Sequence, residues 1–384
     1  MRCSREGGSP VRRESAAFKM LFHDRAAALG SIAGVVAIVF LVGQQLAIFF
    51  GLLSYMSGLA DRSGADIWIL AKNADNVNST ASLPMAFRDR AAGIRGVRNV
   101  SSLVLAGGSF KREDGNTQSV QVVGLERPEM VGGPNRFYIG SVQDLLDGEA
   151  LSVDRLNLPL LGNPRIGTVL TINEKRVRVA ALTQGQQGFA GTVVYTNSVK
   201  AREIANLSAN RCTDLLVQVE PGVSVQALIP LLKRALPRTE VFSTGDLSRF
   251  TKLYYLKNTG IGTSFFFSTA IGALVGLVII TLTMYTNVMN KSRDYAMLRA
   301  LGARRRDVLW IVFLQALYIA AIGILIGFTM LAGFLSGTRD TALPAYLPWT
   351  VPVIHAVATL ILCLLGSLLA MRQAVKIEPA SAFR

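Results

Sequence analysis

The chain has 384 residues, of which 51% are hydrophobic and only 17% are charged. Soluble globular domains carry about 25% charged residues, so the composition excludes an ordinary soluble protein. The net charge of +15 raises the question of a nucleic-acid ligand. The basic residues, however, flank long apolar stretches, which is the charge pattern of a membrane topology. We therefore expect no nucleic-acid partner.

Four stretches contain no Asp, Glu, Lys or Arg, at residues 26–60, 258–290, 308–338 and 341–371. A helix needs about 20 residues to cross roughly 30 Å of hydrocarbon, so each stretch predicts a transmembrane helix. Residues 61–257 separate the first two stretches, and a short turn at 339–340 separates the last two. The first stretch is far longer than the about 7–15-residue core of a signal peptide, so we expect it to be retained.

Basic residues cluster at only some ends of these helices. They lie in the N-terminal tail (1–25), in the loop 291–307 and in the C-terminal tail (372–384). Cytoplasmic segments carry an excess of Lys and Arg. Both termini and the loop 291–307 are therefore predicted to be cytoplasmic and residues 61–257 extracytoplasmic, in a multi-pass protein of the plasma (inner) membrane.

The segment 61–257 has the pattern of a mixed α+β domain. Runs with β-branched residues predict five strands, at Asp66–Leu70, Gln118–Val123, Arg176–Ala181, Thr192–Tyr195 and Leu215–Val219. Amphipathic periodicity predicts helices at Pro84–Ile94 and Val223–Leu236. Turns are predicted at Gly107-Gly108, Asp114-Gly115, Gly132–Pro134 and Gly162–Pro164. The predicted fold is four transmembrane helices with an α+β extracytoplasmic domain inserted between the first two, ordered strand–helix–strand at each end with a β-rich insert between.

The extracytoplasmic segment lacks the residues of common catalytic sites. The only histidines are His23 and His355, outside this segment, which argues against a Ser-His-Asp triad or a His-ligated zinc there. The chain also lacks a Gly-x4-Gly-Lys-Ser/Thr loop, so any ATP must be bound by another polypeptide. We predict a non-catalytic chain with no catalytic residues, no metal and no cofactor of its own.

Pairs of glycines four residues apart recur in the apolar stretches. These pairs are Gly30/Gly34, Gly272/Gly276, Gly323/Gly327 and Gly333/Gly337. Such pairs share one helix face and allow backbones to approach closely. They predict helix–helix packing within or between protomers, with a glycine-lined substrate path as the alternative. Because the apolar stretches contain no Asp, Glu, Lys or Arg and only one histidine, His355, ion-coupled transport is not favoured.

The loop 291–307 predicts a short amphipathic helix. Ser292–Leu301 is the predicted helix, with Ser292 as its cap and Gly302 as a left-handed stop. Its apolar residues are Tyr295, Met297, Leu298 and Leu301. Such a helix either lies on lipid or inserts into the groove of a partner.

The segment SRDYAMLRALGARRRDVLWIVFLQAL resembles the signature of FtsX/MacB-type ABC permeases, in which a helix of this form precedes the third span. The C-terminal IEPASAFR resembles the ending of the same family, and VVGLERP and GTVVYTN are weaker similarities in the extracytoplasmic segment. Asp294 stands where the family commonly has Glu, which preserves the charge. The layout is most similar to that of the DevC-like members.

The resemblance implies a mechanism and partners. Two permease protomers pair as a homodimer, each loop docks on a separate ABC ATPase subunit that binds ATP and Mg, and the second span moves with the outer domain. The implied docking residues are Tyr295, Met297, Leu298, Arg299, Leu301 and Gly302, with Arg304–Arg306 as a charged rim or as lipid contacts. Residues Phe250–Phe267 would form a stalk that extends the second span.

Two functions remain open under this resemblance. The first is ATP-driven export of a lipid-like, peptide or drug substrate with a membrane-fusion adaptor. The second is a non-transporting regulator of a cell-wall hydrolase. The size of the outer segment favours the first, because roughly 200 residues can hold an adaptor or substrate surface. The identity of the neighbouring gene discriminates between the two.

Overall fold

The computed structural model describes residues 25–112, 115–189 and 191–376. The described residues form two compact units. The helical unit comprises residues 25–50, 263–339 and 345–376, and the sheet unit comprises residues 51–262 and 340–344. The predicted tails, residues 1–24 and the family-like ending 377–384, lie outside the described residues.

The sheet unit contains both helices and strands, and the described part of the helical unit contains helices alone. The α-helices are α1 Arg25–Asp61, α2 Ala86–Ala92, α3 Ser198–Ala205, α4 Val225–Ala235, α5 Thr244–Asn258, α6 Ile261–Asn290, α7 Ser292–Ala300, α8 Arg305–Gly337 and α9 Thr350–Lys376. The strands are β1 Ile67–Ala71, β2 Leu83–Pro84, β3 Val97–Lys111, β4 Thr117–Leu125, β5 Phe137–Ile139, β6 Ala150–Asp154, β7 Val169–Ile172, β8 Lys175–Thr183, β9 Thr192–Asn197, β10 Arg211–Cys212, β11 Asp214–Val219 and β12 Thr239–Ser243. Two short 3₁₀ helices span Val142–Leu145 and Arg155–Leu161.

Four helices, α1, α6, α8 and α9, are long and apolar enough to cross a membrane. The strands all lie in the sequence between α1 and α6. The predicted fold class is therefore confirmed: four transmembrane helices with an α+β domain inserted between the first two. The chain is a multi-pass membrane protein.

Two predicted helix starts are wrong, and the first is that of α6. This helix begins at Ile261, and Asn258 belongs instead to the end of α5. Gly260 between them has φ +72°, in the left-handed region that interrupts a right-handed helix. The predicted stalk Phe250–Phe267 is thus two helices with a break rather than one continuous extension.

The second correction concerns the last span. Helix α9 begins at Thr350, so the predicted start at residue 341 and the two-residue turn 339–340 are both wrong. The connection runs instead over residues 338–349. Pro344 and Pro348 explain its length, because each proline removes a backbone donor and disfavours helix in the residue before it.

The sheet unit is built on one large mixed sheet. Its strand order is β12-β1-β11-β3-β4-β9-β6-β8-β5, with β7 paired to both β3 and β8. The units β1-α2-β3 and β11-α4-β12 interleave, because β11 lies between β1 and β3 while β1 lies between β11 and β12. Each end of the domain therefore has the predicted strand–helix–strand order, and β4 to β9 form the β-rich insert.

The longest strand, β3, contains a predicted turn. Gly107 and Gly108 pair with Gln121 and Val120 in the middle of the ladder between β3 and β4. Any Cβ at Gly108 would lie 2.6 Å from Ile172 Cγ2, so this glycine permits close packing of β7 rather than a change of chain direction. The predicted turn at Gly107-Gly108 is therefore wrong.

Alternation along β1 divides the core between the two faces of the sheet. Ile67 and Ile69 join a cluster with residues of α2, α3 and α4. Trp68 and Leu70 point to the opposite face, where they join Leu59 near the end of α1 and Leu247 of α5. The last turns of α1 and the start of α5 are thus packed on the same face of the sheet.

Candidate functional site

Helix α7 ends in a defined turn. Gly302 has φ +100°, and its N–H donates to the carbonyl of Arg299 at 3.1 Å. The N–H of Ala303 donates to the carbonyl of Leu298 at 3.0 Å. These two bonds with a left-handed glycine are a Schellman motif, which satisfies the last carbonyls of the helix. At the other end the predicted cap is wrong, because Lys291 precedes the helix and Ser292 is its first residue.

Tyr295 anchors α7 to the third span. Its side chain is completely buried, and its hydroxyl donates to Oε1 of Gln315 in α8 at 3.0 Å. Burial raises the pKa of the Tyr295 phenol, so the hydroxyl remains a donor at any physiological pH. Tyr295 is therefore unavailable to a partner, and its predicted place in the docking face is wrong. The physical reason is that its side chain extends into the core of the helical unit.

The other apolar residues of the loop differ in exposure. Leu298 is partly buried and packs against the core of the helical unit. Met297 is 54% exposed and Leu301 is 81% exposed. The large apolar side chains that are accessible on the loop are consequently those of Met297 and Leu301. Arg299 is half-buried, and Gly302 forms the exposed turn beside them.

Charged and aromatic residues follow this pair at the start of α8. The side chains of Arg304, Arg305 and Arg306 are exposed. The carboxylate of Asp307 accepts a hydrogen bond from the backbone N–H of Arg304 at 2.9 Å, so it satisfies a free donor at the helix start. Trp310 is half-exposed one turn further along, where an aromatic ring suits a membrane interface.

Two glycines of α8 contact α1 directly. A Cβ built at Gly323 would lie 2.6 Å from Cβ of Val35, and one at Gly327 would lie 2.6 Å from Cβ of Val39. The two glycines are four residues apart, and so are the two valines. One ridge of α1 therefore rests in a groove of α8. Neither site has room for a methyl group.

The other predicted glycines fall into two groups. A Cβ at Gly276 would lie 2.6 Å from Ile38, one at Gly34 would lie 3.0 Å from Ile279, and one at Gly272 would lie 3.6 Å from Val42. The structure therefore places these three at contacts between α1 and α6. Among the described residues, nothing lies within 4 Å of a Cβ at Gly30, Gly333 or Gly337, so the structure assigns these no packing role within the chain.

A polar cluster at the base of the sheet unit joins α1 to α5. The carboxylate of Asp61, the last residue of α1, lies 3.7 Å from Nζ of Lys252 in α5. The hydroxyl of Ser57 donates to the same carboxylate at 2.6 Å. The two helix segments are therefore held side by side by charge as well as by packing.

Asn78 lies at the centre of this cluster. Its amide nitrogen donates to the carbonyl of Met56 at 2.9 Å and to the hydroxyl of Tyr255 at 3.4 Å. Its amide oxygen accepts from Nε2 of Gln121 at 3.1 Å. One side chain thus joins α1, α5 and strand β4. We call the set Ser57, Asp61, Asn78, Lys252 and Tyr255 the base cluster.

The sequence contains no local signal for the base cluster. Its members come from three separate parts of the chain, and Asn78 stands in an Asn-x-Thr triplet that does not by itself indicate such a cluster. Only the close approach of α1 and α5 reveals it.

A buried carboxyl lies elsewhere in the sheet. Asp214 of β11 is nearly inaccessible, and its Oδ2 has no hydrogen-bond partner among the described residues. Burial raises the pKa of this carboxyl to about 8, because desolvation penalises the charged form. The side chain is therefore largely protonated at neutral pH.

Comparison with known proteins identifies the C-terminal part of the chain. Residues 266–379 match the FtsX-like permease C-terminal family. An uncharacterized ABC transporter permease of Methanocaldococcus jannaschii is 25% identical over 173 residues, which are 43% of this chain and 42% of the relative. The chain therefore spans about two fifths of the length of the curated relative that it matches.

Solved structures show a weaker likeness. The periplasmic region of MacB from Actinobacillus actinomycetemcomitans is 11% identical with a TM-score of 0.37, over 49% of this chain and 92% of that one. The extracellular domain of the ABC-type transporter YknZ from Gram-positive bacteria is 13% identical with a TM-score of 0.34, over 47% of this chain and 99% of that one. TM-scores below 0.5 do not establish a common fold. The predicted FtsX-like permease domain is therefore confirmed over residues 266–379, and the chain is similar in sequence to an ABC transporter permease.

Proposed function

We propose that this chain is the permease subunit of an ABC-type complex, in which a separate ATPase subunit drives movement of the extracytoplasmic domain. ATP and Mg are bound by that partner. The chain acts as a homodimer in the plasma membrane, with both termini and the loop 291–307 in the cytoplasm. The FtsX-like domain supports the assignment, and the geometry of the loop supports the mechanism.

The observation that carries the proposal is the combination of an exposed apolar pair with a rigid anchor. Met297 and Leu301 are accessible to a partner. The buried hydrogen bond of Tyr295 to Gln315 holds the same helix on α8, and the Schellman turn at Gly302 fixes the direction in which the chain leaves α7. A displacement applied at the apolar pair therefore passes to the third span rather than being absorbed by a flexible loop.

The base cluster is where we propose that such motion reaches the sheet unit. Helix α1 is uninterrupted from Arg25 to Asp61, and its residues 51–61 belong to the sheet unit. Asp61 and Asn78 connect these residues to α5 and to the large sheet. A movement of α1 along or about its axis is therefore imposed on the sheet unit at a polar junction. We propose export with an outer membrane-fusion adaptor as the use of this motion.

The docking role is tested by a pull-down of an ABC ATPase subunit at matched expression. Leu301→Asp replaces the most exposed apolar residue of the loop by a charge, and we expect at least about tenfold weaker binding, which corresponds to 1.4 kcal/mol. Val199→Asp is the matched control. Like Leu301, Val199 is an exposed aliphatic residue, but it lies in α3 of the sheet unit.

Turnover provides a second readout. The chain alone is expected not to hydrolyse ATP, whereas the complex with the ATPase is expected to do so. If Leu301→Asp binds the ATPase as the parent does while Arg305→Ala does not, the apolar pair is not the docking surface, and the loop is a basic lipid-facing helix instead.

A further inference from the structure

A cavity of about 320 Å³ lies within the helical unit between α1, α6 and α9. On α1 its wall is formed by Ile38, Val42, Leu46 and Phe50, which are four residues apart and share one face of the helix. Ala273 of α6 and residues 351–362 of α9 contribute to the other sides. The lining is almost entirely apolar.

The cavity extends along α1. From Ile38 to Phe50 the helix rises by about 18 Å at 1.5 Å per residue. One leaflet contributes about half of the roughly 30 Å of hydrocarbon in a bilayer. The cavity therefore extends along α1 for about the depth of one leaflet, between three helices.

Water is a poor occupant of this cavity. A buried water needs about 2–4 polar partners, and apolar cavities remain dry. The imidazole Nε2 of His355 already donates to the carbonyl of Val39 at 3.1 Å, so this nitrogen needs no hydrogen bond from an occupant of the cavity. An empty cavity is also unfavourable, because the lining atoms would lose their dispersion contacts.

The protein does not complete the wall by itself. Ile354 and Ala358 of the same wall are exposed at the surface of the bundle. The cavity therefore opens sideways along a face of an apolar helix, where the surrounding medium is lipid.

We propose that this cavity binds one acyl chain of a membrane phospholipid. In the hydrocarbon of a bilayer, acyl chains are the abundant apolar molecules of matching length. The bound chain fills the space between α1, α6 and α9 and replaces the missing protein contacts. The site is separate from the loop 291–307 and does not depend on the proposed coupling to an ATPase.

The test compares two alanines of α6 in the full chain, purified in detergent from membranes. Ala273→Phe fills the cavity from one side. Ala270→Phe adds the same ring to the same helix at an exposed position outside the cavity wall. Native mass spectrometry counts the phospholipids that each chain retains. We expect the parent and Ala270→Phe to retain one phospholipid per chain that Ala273→Phe loses.

Equal retention by all three proteins would overturn the proposal. A change of oligomeric state in Ala273→Phe without loss of lipid would also overturn it, because a helix from a second copy would then occupy the cavity. If Ala273→Phe does not fold, a phospholipid with a photoactivatable acyl tail is applied to the parent in vesicles. Crosslinks to residues 38–50 or 351–362 are expected, and crosslinks confined to the exposed residues Leu325, Ile326 and Met330 of α8 would refute the site.

Discussion

The close contact of α8 with α1 predicts both the direction and the size of the stability change caused by Gly327→Ala. Gly327→Ala places a methyl group 2.6 Å from Cβ of Val39, whereas ordinary contacts lie at 3.4–4 Å. The helices must separate by roughly 1 Å, and overpacking of this kind costs about 1–3 kcal/mol. The higher helix propensity of alanine returns up to about 1 kcal/mol. The net expectation is a loss of stability of up to about 3 kcal/mol.

Gly333→Ala is the matched control on the same helix. A methyl group there meets no described atom within 4 Å, so only the gain in helix propensity remains. Thermal unfolding in detergent measures both variants, and 1 kcal/mol corresponds to roughly 2–4 °C for a unit of this size. We expect Gly327→Ala to melt below the parent and Gly333→Ala to melt at or above it. Equal midpoints for the two variants would refute close packing of α8 on α1.

Three further predictions concern the polar groups. Tyr295→Phe leaves the buried amide oxygen of Gln315 without its donor and should lower the free energy of unfolding by about 1–3 kcal/mol. ATPase stimulation by this variant should fall more than the amount of ATPase pulled down, and an equal fall in both would contradict the anchoring role. Asn78→Ala removes three hydrogen bonds at the base cluster; hydrogen exchange should increase in residues 51–61 and 244–258, and unchanged protection there would argue against the junction. Asp214 has a pKa raised to about 8 from an ordinary value of 3.8, so the folded state binds the extra proton. Stability should therefore fall by up to about 1.4 kcal/mol per pH unit from pH 4 to pH 8 and level off above it, and Asp214→Asn should remove this contribution to the slope.

Some elements could be predicted because their signal is local. The absence of charge over more than 20 residues identifies a transmembrane helix whatever the remainder of the chain does. Likewise, the five predicted strands each overlap a strand of the sheet, because runs of β-branched residues bury well on a pleated surface. Gly302 is the predicted left-handed stop of α7 because few other residues tolerate φ +100°.

Other elements depend on partners distant in sequence. Strand β3 contains Ser101, Ser102 and two glycines, which weaken its local signal, and only its pairing with β4 and β11 makes it the longest strand. The helix break at Gly260 and the late start of α9 also depend on competition between local preferences and packing. The positions of charged residues in the sequence therefore could not predict where these two helices begin.

The docking residues show the same division most clearly. An amphipathic pattern in the loop 291–307 identifies a short helix with an apolar side, and the sequence alone determines that much. It does not determine which apolar residues face the chain and which face a partner. The tertiary structure assigns Tyr295 to the interior and Met297 and Leu301 to the surface. The physical reason is that burial is a property of neighbours: the amide of Gln315, 20 residues away, accepts the tyrosine hydroxyl, and no comparable neighbour covers Leu301 within the described chain.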